Sequence, residues 1–169
     1  MYAAGAMDPE SLPPPSRFPM SDRFPMSVRA SVDIHAPQQR VWDVLADFTS
    51  YPQWNPFTAT VDGSLDDGAS VTMEVRMLNP WSITQVEYVN SVVEGRRICW
   101  GMTMGAASLL TTNRLQTLEP IDEGTTRYVT DDRLCGWLTP VVRALYGNKM
   151  LRGFEAMAEA LKARAEQDC

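Results

Sequence analysis

Residues 28–57 decide the fold, and they read VRASVDIHAPQQRVWDVLADFTSYPQWNPF. Apolar and polar residues alternate over 28–34, which is the pattern of a half-buried strand. Pro37 then opens a helix, because proline suits the first helical position. Apolar residues recur at helical spacing over 41–48, and two prolines restrict 51–56 to a turn or a single helical turn. The stretch therefore predicts a strand, a helix and a second short helix, in that order.

The rest of the chain predicts a sheet followed by one long helix. Alternating apolar residues and β-branched residues indicate strands over 71–77, 82–93, 98–104, 109–119 and 125–134. Short turns between them favour antiparallel pairing, and we expect about six strands after the first. Thr139-Pro140 begins the last helix, in which Gly147 and Gly153 allow close packing or a bend. The prediction is an α+β domain whose sheet curls, because strands twist.

Composition and charge exclude several classes of function. The chain has 169 residues, which is one domain, and a net charge of −6. This charge argues against nucleic-acid binding and disfavours docking on anionic lipid. No stretch approaches the ~20 apolar residues that span a bilayer, so we expect no stable membrane insertion. One His and three scattered Cys do not make a metal site, and the sparse cysteines favour a reducing, cytoplasmic location.

Residues 1–26 differ from the remainder because they hold six of the twelve prolines. The pentapeptide RFPMS occurs twice, at 17–21 and at 23–27. We expect a disordered Pro-rich leader over 1–26 and a folded domain over 27–166. A small partner-binding motif built on the two Phe-Pro pairs is the alternative. A signal peptide is not expected, because no basic region is followed by an apolar core.

Short motifs in order along the chain resemble one superfamily. The opening motifs are Ile34-His35-Ala36-Pro37, Val41-Trp42-Asp43-Val44-Leu45-Ala46-Asp47 and Tyr51-Pro52-Gln53-Trp54-Asn55-Pro56-Phe57, and the closing ones are Leu118-Glu119-Pro120, Gly124-Thr125-Thr126-Arg127 and Asp132-Arg133-Leu134-Cys135-Gly136. Together they resemble the SRPBCC (START/pollen-allergen-like) superfamily, within it the polyketide cyclase/dehydrase and lipid-transport group. The resemblance implies a helix-grip fold. In that fold a curved sheet of about seven strands, with two short helices after the first strand, wraps a long C-terminal helix and leaves an apolar cavity.

In such a fold the inner face of the sheet is both core and cavity wall. Met is flexible and suits irregular apolar surfaces, although core filling is the alternative for each methionine. Trp100 shares a strand face with Met102 and Met104, and we expect it to face the cavity. The candidate ligand contacts are Met73, Val75, Met77, Trp100, Met102, Met104, Asn113, Leu115, Tyr128, Thr130, Asp132, Met150, Phe154 and Met157.

Asp132 is the candidate for a catalytic role. An inward Asp must be paired or neutral, and Arg114 or Arg133 is its candidate partner. Desolvation would raise its pKa and suit it to proton transfer, whereas a surface salt bridge is the alternative. Glu87 is a further carboxylate within a strand, as is Glu74, which is expected to face solvent. No glycine-rich phosphate loop occurs, so no nucleotide cofactor is expected.

Three functions remain open from the sequence. We expect a carrier or sensor that binds a hydrophobic small molecule (a lipid, polyketide, isoprenoid or aromatic compound) in an internal cavity. The first alternative is a polyketide cyclase- or dehydratase-like enzyme that uses an acid or base in the cavity. The second is a protein-interaction module that uses the leader and the apolar loop around Trp137 and Leu138. The oligomeric state stays open.

Overall fold

The structure is a computed structural model that describes residues 25–78, 81–106 and 108–167. Its helices are α1 Gln38–Ala46, α2 Tyr51–Trp54 and α3 Thr139–Glu166, and its strands are β1 Met26–Ile34, β2 Thr58–Gly63, β3 Ser70–Leu78, β4 Trp81–Val93, β5 Arg97–Met104, β6 Leu110–Pro120 and β7 Thr126–Cys135. The strands form one antiparallel sheet in the order β1-β7-β6-β5-β4-β3-β2. The predicted leader lies almost entirely outside the described residues.

The link from β1 to β2 is fixed by local hydrogen bonds. Pro37 lies just before α1 rather than within its first turn, with a φ of −59° that suits the entry to the helix. The Asp47 carboxylate accepts a hydrogen bond from the Thr49 backbone N–H at 3.2 Å, which starts a 3-10 turn. The Tyr51 hydroxyl donates to the Leu45 carbonyl at 2.7 Å, so α2 is held against α1.

The sheet curls because its strands twist and because it contains irregularities. The register shifts between β2 and β3, between β3 and β4, and between β4 and β5. Bulges of this kind increase the local twist. At Gly101 on β5 a Cβ would overlap the Thr112 carbonyl of β6, so only glycine allows this close approach. The result is a half-barrel that surrounds α3.

Helix α3 contacts β1, β3, β7 and α1, and it closes one end of the half-barrel. Ile34, Val41, Leu161 and Ala165 are fully buried at this closed end, where α1 covers the helix. The seven-stranded antiparallel sheet, the short helices after β1 and the long C-terminal helix confirm the predicted helix-grip fold. Among the described residues, no helix has the length and apolar character needed to cross a membrane.

Candidate ligand-binding cavity

A cavity of about 410 Å³ lies between the sheet and α3 at the end opposite the packed core. It occupies the region where β3, β5 and β7 end and where β4, β6 and α3 begin. Its volume is in the range of small-molecule sites in proteins. Met104 lines the cavity and remains nearly half exposed, so the cavity opens to the surface at this end. We call this opening the mouth.

The wall of the cavity is mostly apolar and rich in methionine. The apolar lining residues are Phe57, Met73, Val75, Met77, Ile83, Val86, Met102, Met104, Leu110, Leu134, Val142, Tyr146, Met150 and Phe154. Phe57 packs edge-on against Phe154 with ring centroids 5.4 Å apart, which fixes the wall between β2 and α3. Because methionine side chains are flexible and polarizable, such a wall adapts to ligands of different shape.

One buried arginine links the cavity to the packed interior. Arg114 on β6 lines the cavity and is 5% exposed. Its Nε donates to Thr130 Oγ1 at 3.0 Å and one Nη donates to Met157 Sδ at 3.1 Å. Its guanidinium lies over the Phe154 ring, 4.2 Å from the centroid. These contacts hold the cation on the floor of the cavity, where β6, β7 and α3 meet.

Two buried carboxyl groups line the same cavity. Glu87 on β4 is 6% exposed and Asp132 on β7 is 8% exposed. Glu87 Oε1 accepts from Gln85 Nε2 at 2.7 Å, but Glu87 Oε2 and Asp132 Oδ1 have no hydrogen-bond partner among the described residues. Two buried oxygens of this kind are open to a group on a bound ligand.

Burial shifts the titration of both carboxyl groups. Desolvation raises the pKa of Glu87 to about 8, with a further rise from the Asp132 charge, and Arg114 opposes the shift. Desolvation also raises the pKa of Asp132 to about 7, again opposed by Arg114. Both groups therefore exchange a proton near neutral pH, which is the condition for an efficient general acid or base.

The structure brings many of the predicted ligand contacts together at the cavity. Those that line it are Met73, Val75, Met77, Met102, Met104, Asp132, Met150 and Phe154. They come from β3, β5, β7 and α3, whose inner faces the alternation of apolar residues had predicted.

Four other predicted contacts lie in the packed interior beneath the cavity rather than in its wall. Trp100 packs against Phe48, with ring centroids 6.0 Å apart. The Tyr128 hydroxyl donates to Gln116 at 2.7 Å, while Thr130 and Met157 accept hydrogen bonds from Arg114. We expected Trp100 to face the cavity, but the short helices and turn after β1 cover it.

Asn113 and Leu115 lie on the outer face of β6, which corrects their predicted inward orientation. Asn113 Oδ1 accepts hydrogen bonds from Asn90 Nδ2 and from Cys99 Sγ, both at 3.0 Å. The pairing of Met102 with Thr112 turns the even-numbered residues of β6 inward instead. In β6 both faces mix polar and apolar residues, so the alternation does not show which face is buried.

The sequence interpretation assigned no cavity role to Glu87 and left Arg114 as one of two candidate partners for Asp132. Arg114 is the cross-strand neighbour of Asp132 on β6, whereas Arg133 points outward and pairs with Asp131 at 3.2 Å. Glu87 follows Ile83 and Gln85 at intervals of two residues, and this pattern was the available signal. Because Val86 and Tyr88 on the opposite face are also apolar, the signal was ambiguous.

A curled antiparallel sheet around one long helix, with an apolar cavity between them, is the arrangement of a helix-grip protein. A model of the family described as polyketide cyclase / dehydrase and lipid transport matches residues 25–166. The chain belongs to this family, as its motifs had indicated.

Solved structures share this fold. The Zhui aromatase/cyclase from Streptomyces sp. R1128 superposes with a TM-score of 0.69 at 19% identity, over 85% of this chain and 94% of that one. A START superfamily protein from Mycobacterium smegmatis gives 0.64 at 22% identity, over 85% and 99%. Ara h 8.0201 gives 0.64 at 8% identity, over 83% and 97%. At these identities the likeness shows the fold alone. No curated protein matches the sequence.

Proposed function

We propose that this protein binds a hydrophobic small molecule in its internal cavity, as a carrier or sensor. The observation that carries the proposal is the cavity itself, about 410 Å³ in volume and walled mainly by methionine and other apolar side chains. Burial of apolar surface supplies about 25 cal/mol per Å², so a largely apolar ligand gains most of its affinity from this wall. Membership of a family described by lipid transport as well as cyclase activity supports the same proposal.

The polar groups of the cavity add a requirement on the ligand. Arg114, Glu87 and Asp132 lie on different strands of the wall, and the rest of the lining is mostly apolar. In an apolar pocket, a small number of polar groups orients the ligand, while the apolar wall supplies most of the affinity. We therefore expect a ligand with an apolar body and a hydrogen-bonding group directed at the two carboxyls.

The binding test uses the neutral fluorophore N-phenyl-1-naphthylamine with two variants that fill the cavity. Val75→Trp places an indole in the wall, and Val142→Trp does so at the rim, where the side chain is only partly buried. Both are expected to weaken probe binding at least tenfold. Thr72→Trp, at an exposed position on the same strand as Val75, is the control and should bind like the wild type.

Native mass spectrometry of the protein purified from its host complements the probe. A bound small molecule in one-to-one ratio, released unchanged on extraction, is the expected result. Probe binding that is equal in both filled variants and the wild type would contradict the proposal, because the fluorophore would then be elsewhere on the surface.

Acid–base catalysis on a polyketide-like substrate is the second candidate function. The observation that favours it is the pair of buried carboxyls with unpartnered oxygens, whose pKa values of about 8 and about 7 suit proton transfer. Glu87→Gln and Asp132→Asn should then abolish turnover of a poly-β-ketone substrate while probe binding is retained. Glu74→Gln, on the neighbouring strand, is the control. Equal turnover in all three variants would exclude this role.

A further inference from the structure

We propose that the mouth end of the molecule docks on an anionic membrane surface, so that the cavity opens towards the lipid. This goes beyond the binding of a ligand and depends mainly on different residues. Its starting point is the position of the opening, since Met104 at the mouth is 46% exposed. An apolar molecule that enters or leaves here would meet water unless another surface covers the mouth.

Exposed apolar side chains continue beside the mouth. Trp137, Val141 and Leu145 are 53%, 52% and 60% exposed. Val141 and Leu145 are one turn apart on α3, so they lie on one face of the helix. The adjacent residues Val142 and Tyr146 line the cavity. Single exposed apolar residues are ordinary, but a row along the rim of an apolar opening marks an interaction surface.

The chain segments that build the mouth end contain no acidic residue. Their described parts are 75–78 and 81–86 between β3 and β4, 102–106 and 108–112 between β5 and β6, and 133–154, which joins β7 to the first half of α3. These segments carry five cations, namely Arg76, Arg133, Arg143, Lys149 and Arg152, of which Arg133 is paired with Asp131. The chain as a whole has 21 acidic and 15 basic residues. The mouth end is therefore locally basic in an acidic protein.

Three of the five cations converge on one groove at the rim. Arg76, Lys149 and Arg152 line a depression of about 440 Å³ between β3 and α3. Phe57 and Met77 line this depression and the cavity as well, so the basic groove adjoins the apolar cavity at these two side chains. Cations next to an apolar opening suit a surface that presents phosphate groups above hydrocarbon.

The opposite end of the molecule carries the acidic residues of the turns. Asp62 lies at the end of β2, Asp66 and Asp67 follow that strand, Glu94 follows β4, and the turn after β6 contains Asp122 and Glu123. The net charge of −6 disfavours lipid docking only if charge is spread evenly, and here it is not. Over a Debye length of about 8 Å at physiological salt, a membrane senses the near end and not the far one.

A membrane accounts for these features better than a protein partner does. A helix with exposed aliphatic residues flanked by Lys and Arg, near an exposed Trp, is typical of proteins that lie in the headgroup region. Val141, Leu145, Lys149 and Arg152 follow one another along one face of α3 at steps of four and three residues. This row lies parallel to the cavity-lining row of the same helix, so both can meet one flat surface.

Sedimentation with vesicles tests the proposal on the full chain. Vesicles of phosphatidylcholine with added phosphatidylglycerol should bind the protein, and vesicles of phosphatidylcholine alone should bind it weakly. The triple variant R76Q/K149Q/R152Q should lose on the order of a hundredfold in affinity, at about fivefold per cation. Val141→Ser with Leu145→Ser should also weaken binding. The matched control R96Q/K162Q/R164Q removes three cations away from the mouth and should bind like the wild type.

The outcomes separate this proposal from its competitors and from ligand binding. Equal loss in both triple variants, or no binding to anionic vesicles, would overturn it. The proposal would also be overturned if the variants changed only self-association in size-exclusion chromatography. The mouth would then be an interface between copies of the chain. Binding of N-phenyl-1-naphthylamine should be unchanged in the charge variants, so a failure of docking is distinguishable from a failure of the cavity. Raising the ionic strength from about 0.05 M to about 0.5 M should release the wild type.

Discussion

At the scale of single residues, the cavity depends on three ionisable side chains that are placed at a cost to stability. Glu87 and Asp132 each have an oxygen without a partner among the described residues, and Arg114 is held by Thr130 and Met157 instead of by either carboxyl. A buried polar group without a partner destabilises a fold unless something binds it. Such a cost is typical of a functional site.

Replacing Glu87 by Gln should stabilise the protein at pH 8 and not at pH 4. The pKa of Glu87 is about 8 in the fold against an ordinary 4.5, so between these values the folded state keeps a proton that the unfolded chain releases. The stability of the wild type therefore falls as pH rises through this window, and Gln has no such loss. Each pKa unit corresponds to about 1.4 kcal/mol. Urea denaturation at the two pH values measures the difference.

Glu74→Gln provides the matched control for this measurement, because Glu74 lies on the outer face of β3 and does not line the cavity. If Glu87→Gln raised the free energy of unfolding equally at both pH values, the raised pKa of Glu87 would be contradicted. The effect would then come from the amide itself and not from the buried ionisation.

At the scale of elements, α3 is held close to the sheet by a glycine. At Gly153 a Cβ would overlap the Phe57 ring, which packs against Phe154 in the cavity wall. The sequence interpretation allowed Gly153 either close packing or a bend, and the structure shows the close packing. If α3 could no longer pack this closely against Phe57, the wall of the cavity would move together with the helix.

Gly153→Ala should destabilise the protein by about 1–3 kcal/mol, which is the usual cost of overpacking, although Ala favours the helix by about 1 kcal/mol. Gly147→Ala on the same helix is the control, because its Cβ would meet the flexible end of Met26 at 3.3 Å and Arg143 Cγ at an ordinary 3.8 Å. The control should be neutral or slightly stabilising in urea denaturation. Equal stability of the two variants would show that Phe57 moves aside freely.

At the scale of the whole molecule, the two ends of the half-barrel differ in packing and in charge. One end is a packed core under α1, and the other holds a cavity whose rim is apolar and basic. The cavity lies between the first half of α3 and the inner face of the sheet. The same topology brings three acid-free chain segments to one end and the acidic turns to the other.

The sequence by itself determined the element order, the curled antiparallel sheet and the family, because these depend on local periodicity and on short motifs such as 34–37 and 51–57. It also predicted which residues of β3 and β5 share the inner face, since their alternation is unambiguous, but it left open whether the methionines there fill the core or line a cavity. The strand β2 was counted but not located, as 58–63 is short and has no strong alternation.

Only the tertiary structure decided the polar part of the site. Register between β5 and β6 turned Arg114 inward and Asn113 outward, and a bulge in β4 affects which of its residues face inward beside Glu87. A shift of one residue in register exchanges the two faces of a strand, and both faces of β6 carry polar residues, so no local pattern fixes the choice. The position of the mouth and the clustering of cations around it have the same cause, since residues far apart in the chain meet only when the sheet closes around α3.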